Sequence, residues 1–506
     1  MTLDSLRRRR LDIALDWTKL AAIGALVLAL VIGPVAAMQP ALATLGVLAG
    51  AGLAAVVMLW DRLPRVFLVF LTTILFLYAI GGRGMAYLGA SPVFVGEIAL
   101  GLGVLAILSR ISRVRVTAIH VALLAFMAWG ALQTVPYIGV YGIDALRDAV
   151  TWGYAIFAVI VAATVLPQHF QKIVQLYGRV LPWFLPWIPV AMLVNMQLYD
   201  VLPRAPGAPV PLIVFKGGDM GVHLAGIAAF LLVGLYWRIR PRLPDLWVWA
   251  TWLLALGSAA SINRGGMLAA STAGIALLFN RSFSRFAKPV VAAVLILAVL
   301  LTIDPQIDLG RSRVLSMSQL MENVASIVGD DEVSHGLSAT VEWRQRWWNT
   351  IIDYTVHGRY FWFGKGFGIN LALDDGFQTA QTETLRSPHN GHLEILARMG
   401  VPGLLLWAAF IIAFLASVVR AAIAAYRRGN VWWTGILAWL LTYWVAALVN
   451  ASFDVYLQGP QGGIWFWTIT GLAVVAIRAS KETDSGRPDS DLQRQDFGLT
   501  SRPRSM

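Results

Sequence analysis

The residues best suited to chemistry lie between Ser387 and Gly403, in the run SPHNGHLEILARMGVPG. Pro388 fits the entry to a helix, and Asn390 fits its N-cap. His389 then sits at the helix mouth with His392 close behind. Histidine titrates near neutrality, so one at a helix mouth can take a proton from a hydroxyl. The plainer alternative is a histidine hydrogen-bonded to a loop carbonyl.

Arg264 stands second, in SINRGGMLAA. Gly265 and Gly266 let another backbone or a ligand approach closely. A guanidinium beside open backbone N–H groups makes a phosphate clamp; simple snorkelling of a long basic side chain is the other reading. Arg344 and Arg346 are interleaved with Trp343, Trp347 and Trp348 in EWRQRWWNT. They suit either a substrate contact or an amphipathic helix lying on lipid headgroups. Lys216, in FKGGDMGVH, precedes another helix start and is a further candidate of the same kind. Glu97 lies about one turn inside a span, where an ionisable group pairs with a nearby Arg or is functional. No metal is expected: Asp330, Asp331 and Glu332 are consecutive and cannot easily converge on one ion. With no cysteine, disulfides, thiolate catalysis and Cys-ligated metals are excluded. A G-x-S-x-G nucleophile elbow is also absent.

The elements that hold these residues must live in lipid. Of 506 residues, 58% are hydrophobic and 13% charged, whereas a soluble domain carries about 25% charged residues. Apolar stretches of about 20 residues begin near Thr18, Ala41, Val66, Val93, Thr117, Ala149, Val180, Gly221, Leu246, Gly265, Val290, Leu393, Val431 and Gly462. The class is therefore all-α, a polytopic transmembrane bundle of about 12–14 spans, with a tight helical hairpin expected at Gly265. Lys and Arg set the orientation. With the N-terminus cytoplasmic, the basic clusters at Arg7–Arg10, Arg62 and Arg65, Arg110 to Arg115, Arg238 to Arg242 and Arg420 to Arg428 all fall inside. The short outer loops hold only Arg83, Arg147, Arg204, Lys216 and Arg264. The net charge of +12 is thus a topology signal, and nucleic acid is not an expected partner. The basic N-terminal run is not expected to be a cleaved signal peptide, because its apolar stretch is long and has no clear A-x-A site.

The expected organisation is a cytoplasmic N-terminus (1–17), a transmembrane bundle (18–303), an outer loop or cap (304–390), C-terminal transmembrane helices (391–478) and a disordered cytoplasmic tail (479–506). Within the cap, Ser316 to Val328 and Thr340 to Val356 show helical spacing. Phe361 to Gly368, FWFGKGFG, reads as a turn packed at the membrane surface.

These elements resemble a known family. His389, Asn390, Gly400 and Gly403 are similar to the H-N-x9-G-x-x-G pattern of the bacterial O-antigen ligase and polymerase superfamily. Arg264 with Leu268 resembles its R-x-x-x-L element. Arg344 with Trp348, followed by Phe363 to Gly368, resembles its R-x-x-x-W and F-G-x-G-x-G stretch. The three come in the family's order, from about Asp219 to Gly403. Arg398 departs from it, standing where members often carry an acid; a Glu394–Arg398 contact at i, i+4 would compensate. The resemblance implies a periplasmic cap on a bacterial inner-membrane protein and a metal-independent, cofactor-free glycosyl transfer. The implied donor is a glycan on undecaprenyl pyrophosphate, and the acceptor a lipid A–core sugar or another lipid-linked glycan. His389, Arg264 and Arg344 would be catalytic, and Asn390, His392, Lys216 and Arg346 would contact substrate among the membrane lipids. The alternative is a transporter or flippase of lipid-linked glycans. Transporters put polar groups at the midplane of repeated halves, and no such repeat is evident here. A scaffold role in an assembly complex is a third reading.

Overall fold

The computed structural model describes residues 59–482, apart from 111–114, 207, 209, 240–243, 280–282, 304–306, 311–312, 316–337 and 379–384. The spans expected from Thr18 and Ala41, the helix expected over Ser316 to Val328, and the tail beyond Glu482 lie outside the described residues.

The chain is an all-α, polytopic helix bundle. Helix α1 (Leu63–Gly81) carries Pro64 in its first turn, where a missing N–H costs nothing. A short hairpin, β1 (Gly89–Ala90) with β2 (Val93–Phe94), leads into α2 (Val95–Leu108). Then come α3 (Ala118–Tyr141), α4 (Ile143–Gly153), α5 (Ile156–Thr164) and α6 (His169–Gln197). Helices α4 and α5 bend by 50° at their junction. Next are α7 (Gly217–Leu232), α8 (Asp245–Ile262) and α9 (Arg264–Ser271), which tightens into a 3-10 segment over Thr272–Phe279. Only Asn263, in extended conformation, separates α8 from α9, which makes the tight connection expected at Gly265. Helix α10 (Phe283–Ile303) precedes a second hairpin, β3 (Ile307–Gly310) with β4 (Arg313–Leu315). The cap supplies α11 (Ser338–Val356) and α12 (Leu371–Asp374). The chain closes with α13 (Gly391–Arg427), α14 (Val431–Ala451) and α15 (Pro460–Glu482).

Among the described residues, six helices are long and apolar enough to cross a membrane, or seven if the bent α4–α5 pair is one span. The other apolar helices are shorter than their hydropathy suggests: α2 has 14 residues and α7 has 16. Apolar residues at their ends belong to loops and strands, which a hydropathy window cannot tell from helix. Glu97, near the start of α2, has no Arg partner among the described residues. It accepts from the Tyr154 hydroxyl at 2.6 Å and from the Phe94 N–H at 3.0 Å.

Burial sorts the bundle into layers. Every residue of α7 is buried, as is 83% of the apolar window of α14 and of α15, against 28% for α1 and α13. Large apolar side chains such as Leu132, Trp183 and Ile412 point outward, as lipid-facing positions do. Helices α7, α14 and α15 therefore form the centre. The ends of α1 and α14 and the starts of α7, α9, α13 and α15 gather on one face; Arg83 N–H, just past α1, donates to Val214 just before α7. The opposite face holds Arg62, Arg65, Arg110, Arg115 and Arg478.

The central packing depends on glycine. A Cβ on Gly221 of α7 would stand 2.2 Å from the Gly266 carbonyl oxygen of α9, so only hydrogen lets these backbones meet. Gly257 of α8 faces open space. Gly221→Val is expected to destabilise by about 1–3 kcal/mol and Gly257→Ala to be neutral or better, read as melting midpoints in detergent. Equal midpoints for the Gly221 variant and wild type would refute this packing.

Candidate functional site

The start of α13 is built around a break. Gly400 adopts φ 67°, a left-handed conformation inside the helix, and Pro402 has no N–H. Two carbonyls upstream thereby lose their helical partners. The FWFGKGFG segment fills them: Lys365 N–H donates to Ala397 O at 2.7 Å, and Gly366 N–H to Arg398 O at 3.1 Å. In return Val401 N–H donates to Phe361 O at 2.8 Å, and the Trp129 indole takes Met399 O at 3.0 Å. The motif is thus a backbone splice into a broken helix. Lys365 also pairs with Asp374 of α12 and with Asp375, which caps that helix. Asp375 accepts from the Trp347 indole of α11 at 2.6 Å. Trp347 and Ile351 pack on Leu396 and Ala397 of α13, giving the cap a small core of its own.

Charge locks the same region. Arg398, 1% exposed, meets Glu394 at 2.9 Å and Asp148 at 3.0 Å. This is the contact expected at i, i+4, extended by an acid on α4. Arg386 reaches Asp148 at 3.2 Å and the Gly368 carbonyl at 2.9 Å. The Ser387 hydroxyl donates to Glu394 at 2.6 Å, the Pro388 carbonyl accepts from the Trp348 indole at 2.9 Å, and Asn390 caps α13 through the N–H groups of His392 and Leu393. The residues on either side of His389 are thus pinned to protein, and its ring projects toward Asp454. His389 has φ 54°, the one non-glycine residue with positive φ among those described. Such strain persists only where the surroundings enforce it, and it clusters at functional sites.

The His389 Nδ1 lies 3.4 Å from Asp454 Oδ1. A carboxylate only accepts, so Nδ1 is the donor, and in the neutral imidazole Nε2 is then the base; among the described residues no hydrogen-bond partner faces Nε2. Lys216 grips both oxygens of Asp454, at 2.7 and 2.8 Å. Burial alone would raise the Asp454 carboxyl, but the His389 hydrogen bond and the Lys216 charge outweigh it and hold the group well below the usual carboxylate range. Its pairing with Lys216 is therefore complete above the ordinary carboxylate pKa of about 3.9 and weakens only as pH falls beneath that.

Two arginines face this group. Arg344 of α11 donates weakly to Phe453 O, at 3.4 Å. Its Nε is buried with no hydrogen-bond partner among the described residues. Burial lowers its pKa and Asp454 acts against that, but a guanidinium stays charged. Arg264, in the first turn of α9, lies close enough for the two cations to repel. Neither has a carboxylate within ion-pair distance among the described residues. Gly265 packs against Phe453, whose Cβ is 3.2 Å from where a Gly265 Cβ would be. The helix starts of α7, α9 and α13 add partial positive charge to this face. The arrangement couples a poised base to an anion-binding wall.

Of the residues singled out in the sequence, His389, Arg264, Arg344 and Lys216 converge, with Lys216 turned to Asp454. Asn390 acts through its cap. His392 turns inward: its Nδ1 accepts from the Trp407 indole at 2.9 Å and its Nε2 meets Ser452 at 3.1 Å, steadying the loop that carries Asp454. Arg346 is exposed on a different side of α11 from Arg344 and does not join the group. Asp454 escaped sequence reading, as did Asp148. The available signal for Asp454 was an acid in a loop between two spans on the side poor in charge.

Residues 249–408 match the family model described as O-antigen ligase. The matched stretch holds Arg264, Arg344 and His389 and ends before Asp454. It supports the O-antigen ligase superfamily and a membrane glycosyltransferase of ligase or polymerase type. No curated protein matches the chain.

Arg398→Ala is expected to cost about 3–5 kcal/mol, because it leaves Asp148 and Glu394 as buried, uncompensated charges. Thermal unfolding of the purified protein checks this. A loss below 1 kcal/mol would mean the knot is not structural.

Proposed function

We propose that this O-antigen ligase-type chain transfers a glycan from undecaprenyl pyrophosphate to an acceptor hydroxyl on the periplasmic side, without a metal. The observation that carries the reading is His389, strained and held on both sides, facing Asp454 and two arginines with no carboxylate within ion-pair distance among the described residues. The acceptor O–H gives its proton to Nε2 of His389 as its oxygen attacks the anomeric carbon. The bond from that carbon to the pyrophosphate oxygen breaks, and the electron pair leaves with undecaprenyl pyrophosphate. Arg264 and Arg344 hold the charge that develops there; arginine suits phosphate because it stays ionised and binds it in bidentate fashion. Asp454 keeps the imidazole in the productive tautomer and steadies the imidazolium that forms. Lys216 holds Asp454, which makes it a positioning residue in this scheme.

The acceptor class remains a choice between a lipid A–core sugar, for a ligase, and a second lipid-linked glycan, for a polymerase. Surface glycan from a deletion strain separates them: a single repeat left on lipid means polymerase, and long unattached chains mean ligase. A flippase of the same donor is disfavoured by where the charges lie, at one face and not the midplane.

His389→Ala and Arg264→Ala are each expected to abolish transfer by purified protein in detergent while inserting normally. Asp454→Asn should lower kcat by about 10²-fold or more, the usual range for disabling a general base. Chelators should leave the wild-type rate unchanged. Wild-type product from either of the first two variants would sink the mechanism, and donor movement without transfer would favour the flippase.

A further inference from the structure

The face opposite the site carries a built cavity of its own. It has a volume of about 880 Å³ and opens between the start of α1, the ends of α2 and α5, and the start of α6. Its rim holds four basic side chains: Arg62 just before α1, Arg65 from α1, Arg110 just past α2, and Lys172 from α6. None has a carboxylate within ion-pair distance among the described residues. The one acid at the mouth, Asp61, meets Arg110 only through its backbone carbonyl, at 3.5 Å. Behind the rim the walls turn apolar, with Leu68, Val165, Ile173 and Leu176. The same four residues also line a second cavity of about 210 Å³, which runs on between α1, α6, α14 and α15. The two cavities share these walls: a wide mouth lined by cations adjoins a smaller, apolar channel in the bundle.

We propose that this groove binds an anionic membrane phospholipid, with the phosphate on the rim and an acyl chain in the channel. Charge complementarity selects the headgroup. Four cations around one mouth, none with a carboxylate within ion-pair distance among the described residues, match a phosphate, and a zwitterionic headgroup would bring a cation among them. The apolar walls select a lipid over free phosphate. A wide mouth that narrows to one channel accommodates a headgroup and a glycerol with only one chain threaded deep. The cavity and the catalytic group lie at opposite ends of α1, so the lipid would brace the bundle rather than take part in transfer.

The test uses the full chain purified in detergent and titrated with phosphatidylglycerol, phosphatidylcholine, inorganic phosphate or a polyprenyl phosphate. Bound lipid is counted by native mass spectrometry and the melting midpoint is followed. Phosphatidylglycerol should bind and raise the midpoint, while phosphatidylcholine and phosphate should not. Each basic residue near an anionic lipid is worth about fivefold in affinity. Arg65→Gln with Lys172→Gln should therefore weaken binding by more than about tenfold. Leu68→Trp, which fills the channel and keeps the rim, should also reduce it. Arg420→Gln with Arg427→Gln removes two basic residues that do not line the groove, and should leave binding intact. Equal loss from that control pair would overturn a built site in favour of general surface charge. Preference for the polyprenyl phosphate, or equal retention of phosphatidylcholine, would overturn the choice of lipid.

Discussion

A helix that breaks inside a membrane protein must find new partners for the carbonyls it strands, because lipid offers none. Here the break at Gly400 and Pro402 leaves Ala397 and Arg398 open, and the cap supplies the missing N–H groups from Lys365 and Gly366. That exchange fixes where the cap sits. From it follow the small core of Trp347, Ile351, Leu396 and Ala397, the position of α11, and the reach of Arg344. The glycines of FGKGFG matter for the backbone they allow to approach, and none of them need touch substrate.

Electrostatics completes what the splice begins. Arg398 and Arg386 balance Glu394 and Asp148 in a closed knot that leaves no net charge to attract a ligand. A short distance away the balance is deliberately uneven. Asp454 is shared by Lys216 and His389, while Arg264 and Arg344 repel each other with no carboxylate within ion-pair distance among the described residues. The first cluster holds structure and the second stores attraction for an anion. Both sit where helix starts converge, which adds to the positive potential.

How much of this was legible in the sequence depended on distance along the chain. The helix start at Asn390 follows from local capping chemistry, and the Glu394–Arg398 pair from helical spacing. His389, Arg264 and Arg344 stood out because each lies in a short, distinctive run. Asp454 did not, since its partners are 65 and 238 residues away and its own surroundings look like an ordinary turn. Lys216 was visible, but its partner was hidden for the same reason. Helix lengths were overread at α2 and α7, because apolar composition marks lipid or core and says nothing of where hydrogen bonding stops. FWFGKGFG read as a surface turn, since nothing local shows that a helix some thirty residues later has carbonyls to fill.

One helix of the cap, α11, handles both ends of the reaction proposed here. Its Arg344 faces the departing group, and one turn later its Trp348 holds the carbonyl before His389. The two side chains share one helix, so in the proposed reaction the wall for the leaving group and one support of the base are set by the same rod. Their spacing is then fixed by helical geometry, one turn or about 5.4 Å along the axis, whatever substrate is seated.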